Sequence, residues 1–375
     1  VSGLTAIHEY SGRMTKECIS AMSFAFRSEE FVARYDVPTY CDWLQRSDIN
    51  IPPIRVAGVA QAVGHAHEHH PVRSYLDALA WDGTPRVDSW LSTYLGAGSG
   101  SDLDDHAVYL EAIGAKFLIA AVARVYRPGC KADSALILEG PQGAGKSTAI
   151  RILCGVDWFA DEISDLGSKD AAQDIRGKWV IELGEMSAVR RSDVERVKAF
   201  MSRAVDHYRP SFGRRSIDVP RQCVFAGSVN PRGTGYLSDT TGNRRFWPVA
   251  VGKIDLKGLA RDRDQLWAEA GTRYREGAAW WLSKDEERLA AAEQVERVEP
   301  DVWEETIVDW LGRQTAAFVT VEQILLEVIR KEKKDWSQKD QNRIVEILVS
   351  NGWAKGSQRT IGSRRARTYV QRHRE

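Results

Sequence analysis

Residues 134–147 read SALILEGPQGAGKS, and this stretch decides how the rest of the chain is read. Ala135 to Glu139 is a short apolar run suited to a buried parallel strand. The phosphate-loop pattern G-x-x-x-x-G-K-S follows at once, from Gly140 to Ser147. Gly140, Gly143 and Gly145 let the backbone turn tightly and bring consecutive N–H groups up to an anion, with Pro141, Gln142 and Ala144 between them. Lys146 adds a point charge for the β- and γ-phosphates, and Ser147 a hydroxyl ligand for Mg²⁺. Thr148 to Leu153 reads as a helix, ended by Gly155, whose N-terminal dipole faces the same phosphates. Strand, loop and helix together predict a site for Mg·ATP.

The chain has 375 residues, 43% of them hydrophobic, which is enough for two or three domains with sizeable cores. Lys plus Arg and Asp plus Glu both total 52, so only local charge informs about partners. The five cysteines (Cys18, Cys41, Cys130, Cys154 and Cys223) are odd in number and contain no C-x-x-C pair. That argues against a disulfide framework or a structural zinc site and fits the cytosol. No apolar run approaches the length of a membrane span and no signal-peptide core is seen, so a cytoplasmic protein without a membrane partner is expected.

Residues 1–130 read as a mainly helical region. His65, His67, Glu68, His69 and His70 form a histidine cluster, read as a polar helix end because no carboxylate or cysteine partner sits at ligand spacing on a recognisable helix. Residues 71–95 suit two amphipathic helices with a turn at Asp82-Gly83 and Pro85. An apolar helix from Ala107 to Tyr126 follows, terminated by Pro128-Gly129. These helices are expected to form a lid or platform in front of a nucleotide-binding core over residues 131–284.

Within that core, Trp179 to Ile181 is a second buried strand with Glu182 at its C-terminal edge, and Glu185 follows three residues later. One carboxylate is needed to orient the Mg²⁺ shell and one to polarise the attacking water. Glu182 is assigned to the metal and Glu185 to the water, and the two roles can be exchanged. Ser192 opens a further helix. Residues 203–221 suggest a hairpin with Arg209 on one flank and Arg214 and Arg215 at its tip, suited to a phosphate backbone with Tyr208 and Phe212 nearby for stacking. Cys223 to Ser228 is a third buried strand, and Asn230, just past its end, faces the ligand side of a parallel sheet. Arg244 and Arg245 follow a glycine and precede an apolar strand, a mount for an arginine finger acting in a neighbouring subunit, with one of the two left for a structural ion pair.

Acids dominate residues 285–300, read as a solvated helix and linker. Residues 301–375 hold three short helices and a two-stranded ribbon turning at Gly362 and carrying Lys355, Arg359, Arg364, Arg365 and Arg367. This is the pattern of a winged helix-turn-helix that grips duplex DNA.

Residues 71–251 resemble the virulence-associated protein E family, phage and mobile-element proteins related to the helicase halves of viral and plasmid primase-helicases. The stretches that carry the resemblance are HPVRSYLDALAWDGTPRVDSWL, LEGPQGAGKST, GKWVIELGEM, CVFAGSVNP and TGNRRFWPV, in the family's usual order. The resemblance implies an α/β fold with a P-loop, AAA+-like core of the superfamily III helicase type. It also implies a homo-oligomeric ring, expected as a hexamer, in the cytoplasm of a bacterial host. Lys146, Ser147 and Glu182 would then be nucleotide and Mg²⁺ residues, Asn230 the polar sensor, Arg244 or Arg245 the finger, and residues 209–215 the hairpin that tracks single-stranded DNA. The acids depart from the pattern, standing three residues apart where related helicases often place two side by side. No primase motif is visible, so priming would belong to a removed portion or a separate replication partner. The expected activity is that of an ATP-dependent DNA helicase or translocase. An ATP-gated DNA-binding regulator without unwinding activity is the alternative, and a small-molecule kinase is a third reading that the hairpin and basic tail count against.

Overall fold

Each apolar run around the glycine loop becomes a strand of one parallel sheet. The computed structural model describes residues 41–42, 45–46, 52, 70–98, 104–161, 163, 169–184, 191–209, 216–230, 236–237, 243–298, 301–314, 316–361 and 364–371. Glu185, Arg214, Arg215, the histidine cluster at 65–69 and the Gly362 turn lie outside them. The chain divides into two units, residues 1–78 and 79–375. In the first unit, helix α1 (Pro71–Ala78) buries Val72 and Leu76.

The second unit opens with α2 (Trp90–Leu95) and α3 (Asp104–Tyr126). Next come β1 (Ala135–Glu139), α4 (Lys146–Cys154), β2 (Phe159–Ala160), α5 (Lys169–Asp174) and β3 (Val180–Leu183). Helix α6 (Arg191–Met201) starts one residue ahead of Ser192 and leads to β4 (Val205–Tyr208) and β5 (Ile217–Pro220), which pair antiparallel as the expected hairpin. Then follow β6 (Val224–Val229), β7 (Phe246–Ala250), α7 (Leu256–Arg275) and α8 (Lys284–Val295). Strands β2, β3, β6, β1 and β7 lie side by side in that order, all parallel.

The sheet is covered on both faces, which is why its strands read as continuous apolar runs. Leu136 and Leu138 point to one side, where Trp90, Leu95, Phe117, Ile150 and Leu153 pack on them. Ala135 and Ile137 point to the other, against Ala171, Ile175, Val197 and Phe200. Helix α3 is a fixed layer of the core, a platform and not a lid: most of its length is buried and Trp179 Nε1 donates to the Ala121 carbonyl at 2.9 Å. The acidic stretch expected as a solvated helix and linker also belongs to this core. It forms α8, started by a Ser283/Glu286 capping box. Ala290 and Gln294 are buried, and Gln294 Nε2 donates to the Phe246 carbonyl at 2.9 Å. Asp285, Glu287 and Glu296 are exposed while Glu293 turns in to Arg297, so counting charge concealed the narrow stripe that packs.

Residues 301–371 build a separate core. It comprises α9 (Glu304–Gly312), β8 (Val319–Thr320), α10 (Val321–Gln323) continued by one π-turn over Ile324–Val328, α11 (Gln338–Ser350), β9 (Trp353–Ile361) and β10 (Arg364–Gln371). Thr320 and Ser337 cap α10 and α11 through capping boxes. Ile307, Ile324, Leu325, Ile344, Leu348 and Tyr369 are buried together. The ribbon has a third strand that the sequence did not announce, β8, paired antiparallel with β10. Among the described residues no helix is long and apolar enough to cross a membrane, and Cys41, Cys130, Cys154 and Cys223 are free thiols.

Candidate functional site

The site begins where β1 ends. Gly143 and Gly145 adopt φ of 81° and 92°, left-handed values that disfavour any side chain. A Cβ on Gly140 would come within 2.8 Å of Val251 Cγ2. Pro141, Gln142, Gly143 and Thr148 are exposed and Ala144 half-buried, so the loop faces solvent while its lysine turns inward. Lys146 is buried, and its Nζ donates to the Gly140 carbonyl at 2.7 Å, the Pro141 carbonyl at 2.8 Å and Asn230 Oδ1 at 2.8 Å. Desolvation lowers its pKa and the nearby Glu182 carboxylate partly opposes that. All three ammonium protons are thus accepted by neutral oxygens, which phosphate oxygens can replace at a gain in charge complementarity.

Glu182 and Asn230 reach the same place from neighbouring strands. Glu182 lies level with Ala226 of β6, and β6 in turn pairs with β1. Ser147 Oγ donates to Glu182 Oε1 at 2.7 Å. Glu182 is buried and its Oε2 has no hydrogen-bond partner. A buried carboxylate oxygen left bare beside a hydroxyl is a costly arrangement unless a cation completes it, so Ser147 and Glu182 fit Mg²⁺. Among the described residues no group of three or more metal-type side chains is assembled, so the remaining ligands would be phosphate and water, as Mg²⁺ prefers.

The two arginines are separated from this cluster within one chain. Phe246 is level with Ala135 across the parallel β1–β7 pair. Arg245, one position earlier, is therefore six strand positions from Gly140, roughly 20 Å at about 3.3 Å per residue. Arg245 is tied down, its Nε donating to Ser202 Oγ at 3.1 Å and lying 3.4 Å from Asp133 Oδ2. Arg244 is exposed.

Among the residues expected to meet DNA, Arg209 is exposed at the end of β4. In the tail, Lys355, Arg359, Arg365 and Arg367 are all exposed. Arg367 lies opposite Gln358 and Arg365 opposite Thr360, whereas Arg359 lies opposite Ala366. Strand alternation therefore puts Arg365 and Arg367 on one face of the ribbon and Arg359 on the other, where its guanidinium sits 4.8 Å from the Phe318 ring centroid. Arg364 belongs to β10.

Two buried ion pairs escaped sequence reasoning. Arg221 Nε donates to Asp206 Oδ2 at 2.9 Å, Nη2 donates to Oδ1 and Nη1 to the Phe200 carbonyl. The guanidinium lies 4.5 Å from the Phe200 ring centroid and 5.7 Å from that of Phe225. This fixes the root of the β4–β5 hairpin on the sheet. Glu139, the last residue before the glycine loop, accepts from Arg297 Nε at 3.1 and 3.2 Å. Arg297 also donates to Glu293 Oε2 at 2.6 Å, and Glu293 meets His106 Nδ1 at 2.7 Å. The only signal for either pair was an acid inside an otherwise apolar or alternating strand, and partners 15 and 158 residues away are not readable from spacing.

Comparison with known proteins places the chain in context. A search of the curated proteins returns no match. Among solved structures, two of the apo C-terminal region of NrS-1, one of them in its A form, align at TM-scores of 0.45 and 0.44. Each is 12% identical, and each alignment covers 79% of this chain and 78% of that one. A family model described as a virulence-associated protein E-like domain matches residues 76–299. That span is well over half of the chain, and it contains the glycine loop, Glu182, Asn230 and both arginines: the chain belongs to the virulence-associated protein E-like family.

Proposed function

We propose that this chain is a Mg·ATP-dependent motor acting on single-stranded DNA, a helicase or translocase in the replication of a phage or mobile element. The observation that carries the reading is the convergence of Lys146, Ser147, Glu182 and Asn230 at the C-terminal ends of adjacent parallel strands, with Glu182 Oε2 left bare. Strand β6 standing between β1 and β3 supports an additional-strand, AAA+-like core. When bound, Mg²⁺ would neutralise charge on the β- and γ-phosphates.

In this reading Ser147 and Glu182 hold the cation, and Lys146 exchanges the Gly140 and Pro141 carbonyls for phosphate oxygens. Asn230, freed from the lysine, orients the attacking water or the γ-phosphate. Glu185 is the candidate for water activation. Arg244, exposed and well away from its own glycine loop, serves the site of a neighbouring subunit in a homo-oligomeric ring, proposed as a hexamer, while Arg245 braces the strand start. Arg209 with Arg214 and Arg215 contacts the single strand, and the tail, read as a winged helix, holds duplex DNA through Lys355, Arg359, Arg364, Arg365 and Arg367.

Hydrolysis measured with and without single-stranded DNA tests the reading. Stimulation that weakens with salt is expected. Mixing tests the finger: Arg244→Ala and Lys146→Ala subunits, each inactive alone, should recover part of the activity together. Hydrolysis indifferent to DNA, with no strand separation, would move the assignment to the regulator.

A further inference from the structure

Trp281 is 59% exposed, an uncommon position for so large an apolar side chain. Its ring meets that of Trp280 edge-on, with centroids 5.0 Å apart at 80°. Trp280 lies 6.0 Å from Tyr274, which stacks on Tyr126 at 5.6 Å and 20°. Trp280 Nε1 donates to the Lys131 carbonyl at 2.9 Å. Rings from the ends of α3 and α7 and the approach to α8 thus brace Trp280, and Trp281 leans on it from the solvent side.

Cations flank it. The Arg127 guanidinium sits 5.6 Å from the Trp280 ring centroid, and both Arg127 and Lys131 are exposed. Neither makes an ion pair with a described residue. No other large apolar side chain of residues 126–133 or 274–284 is exposed, and at the hairpin root Val205, next to Ala204, is exposed as well. The Pro128-Gly129 turn joins this corner to the hairpin root: Gly129 N donates to the Arg221 carbonyl at 2.8 Å. A Cβ on Gly129 would stand 3.3 Å from the Ala204 carbonyl oxygen.

An exposed ring offers its face to any base, and unpaired cations beside it meet the backbone, the combination that binds single strands without regard to sequence. We propose that Arg127, Lys131, Trp280 and Trp281 form a further contact for single-stranded nucleic acid, continuous with the root of the β4–β5 hairpin. The inference rests on the nucleic-acid part of the reading above and extends it to a surface outside the hairpin arginines.

Binding of a fluorescein-labelled oligothymidylate to the full chain, followed by anisotropy at low and moderate salt, tests it. Trp281→Ala should weaken binding about tenfold and Trp281→Phe should retain most of it. Arg127→Ala with Lys131→Ala should lower the salt slope by about 1 to 2. Basal ATP hydrolysis should be unchanged in all of these. If Trp281→Ala binds like the parent while Arg209→Ala is weakened, the corner is not a nucleic-acid contact and the reading of the hairpin survives. A parent chain that ignores the oligonucleotide even at low salt overturns both. A change in sedimentation with unchanged affinity assigns the corner to an interface between protein chains and also overturns the inference.

Discussion

Lys146 and Arg221 are both cations withdrawn from water, 6% and 2% exposed, and they are held in opposite ways. Arg221 has a carboxylate, Asp206, gripped through two nitrogens, a main-chain carbonyl on a third and aromatic rings on its face. Its charge is compensated within the chain. Lys146 has only neutral oxygens, two of them carbonyls of an open loop, and the nearest carboxylate is engaged by Ser147 and has one oxygen bare. A buried cation with a fixed counter-ion holds a fold, whereas one without it is poised to receive an anion.

Substitutions that remove one charge at a time should separate the two. Lys146→Ala should lower ATP hydrolysis about 10³-fold, measured as phosphate release. Its loss of stability should be smaller than that of Arg221→Ala, because Glu182 makes no direct ion pair with the lysine and keeps its hydrogen bond from Ser147. Arg221→Ala should cost about 3–5 kcal/mol in urea unfolding by leaving Asp206 buried and unpaired. Replacing the pair together, Arg221→Met with Asp206→Leu, should recover much of that loss; a double variant as unstable as the single one would break the comparison. Asn230→Ala should slow hydrolysis roughly tenfold to a hundredfold with little change in stability.

The smallest effect belongs to a third, more open pair, Lys331 with Asp340 at 2.6 Å. The Lys331 ammonium, followed by the Ser337 hydroxyl, holds the Asp340 carboxyl at about 2, below its ordinary 3.8. The unfolded chain therefore takes up this proton first as pH falls. Its contribution to the tail is complete above about pH 4 and is lost as the solution is acidified through about pH 2. Lys331→Ala should shrink that acid-sensitive component in thermal melts, leaving the share held by Ser337, while costing about 0.5 kcal/mol at neutral pH.

Much of this was legible in the chain, for local reasons. The strand β1, the glycine loop and α4 are contiguous, and each residue type there answers a short-range demand of backbone geometry. The helix caps Thr320 and Ser337 were equally local. Arg244 and Arg245 were indistinguishable as neighbours in sequence, and only Asp133 and Ser202, brought in from other segments, separated them. The acidic stretch was read as a solvated helix and linker because composition averages over a helix, whereas burial depends on which two or three positions face inward, here Ala290 and Gln294.

The sequence by itself determined that a glycine-rich loop follows a buried strand, that an acid and an asparagine stand at the ends of later strands, and that basic residues gather around a hairpin and a ribbon. Periodicity and spacing carry such information because strand, turn and helix are set by residues within a few positions of one another. Only the tertiary structure decided that Glu182 and Asn230 converge on Ser147 and Lys146, that Asp206 neutralises Arg221 and Glu139 meets Arg297, and that Trp281 stands in solvent beside the hairpin root. Those outcomes depend on which strands become neighbours and how their registers align, and long-range pairing leaves no period in the chain.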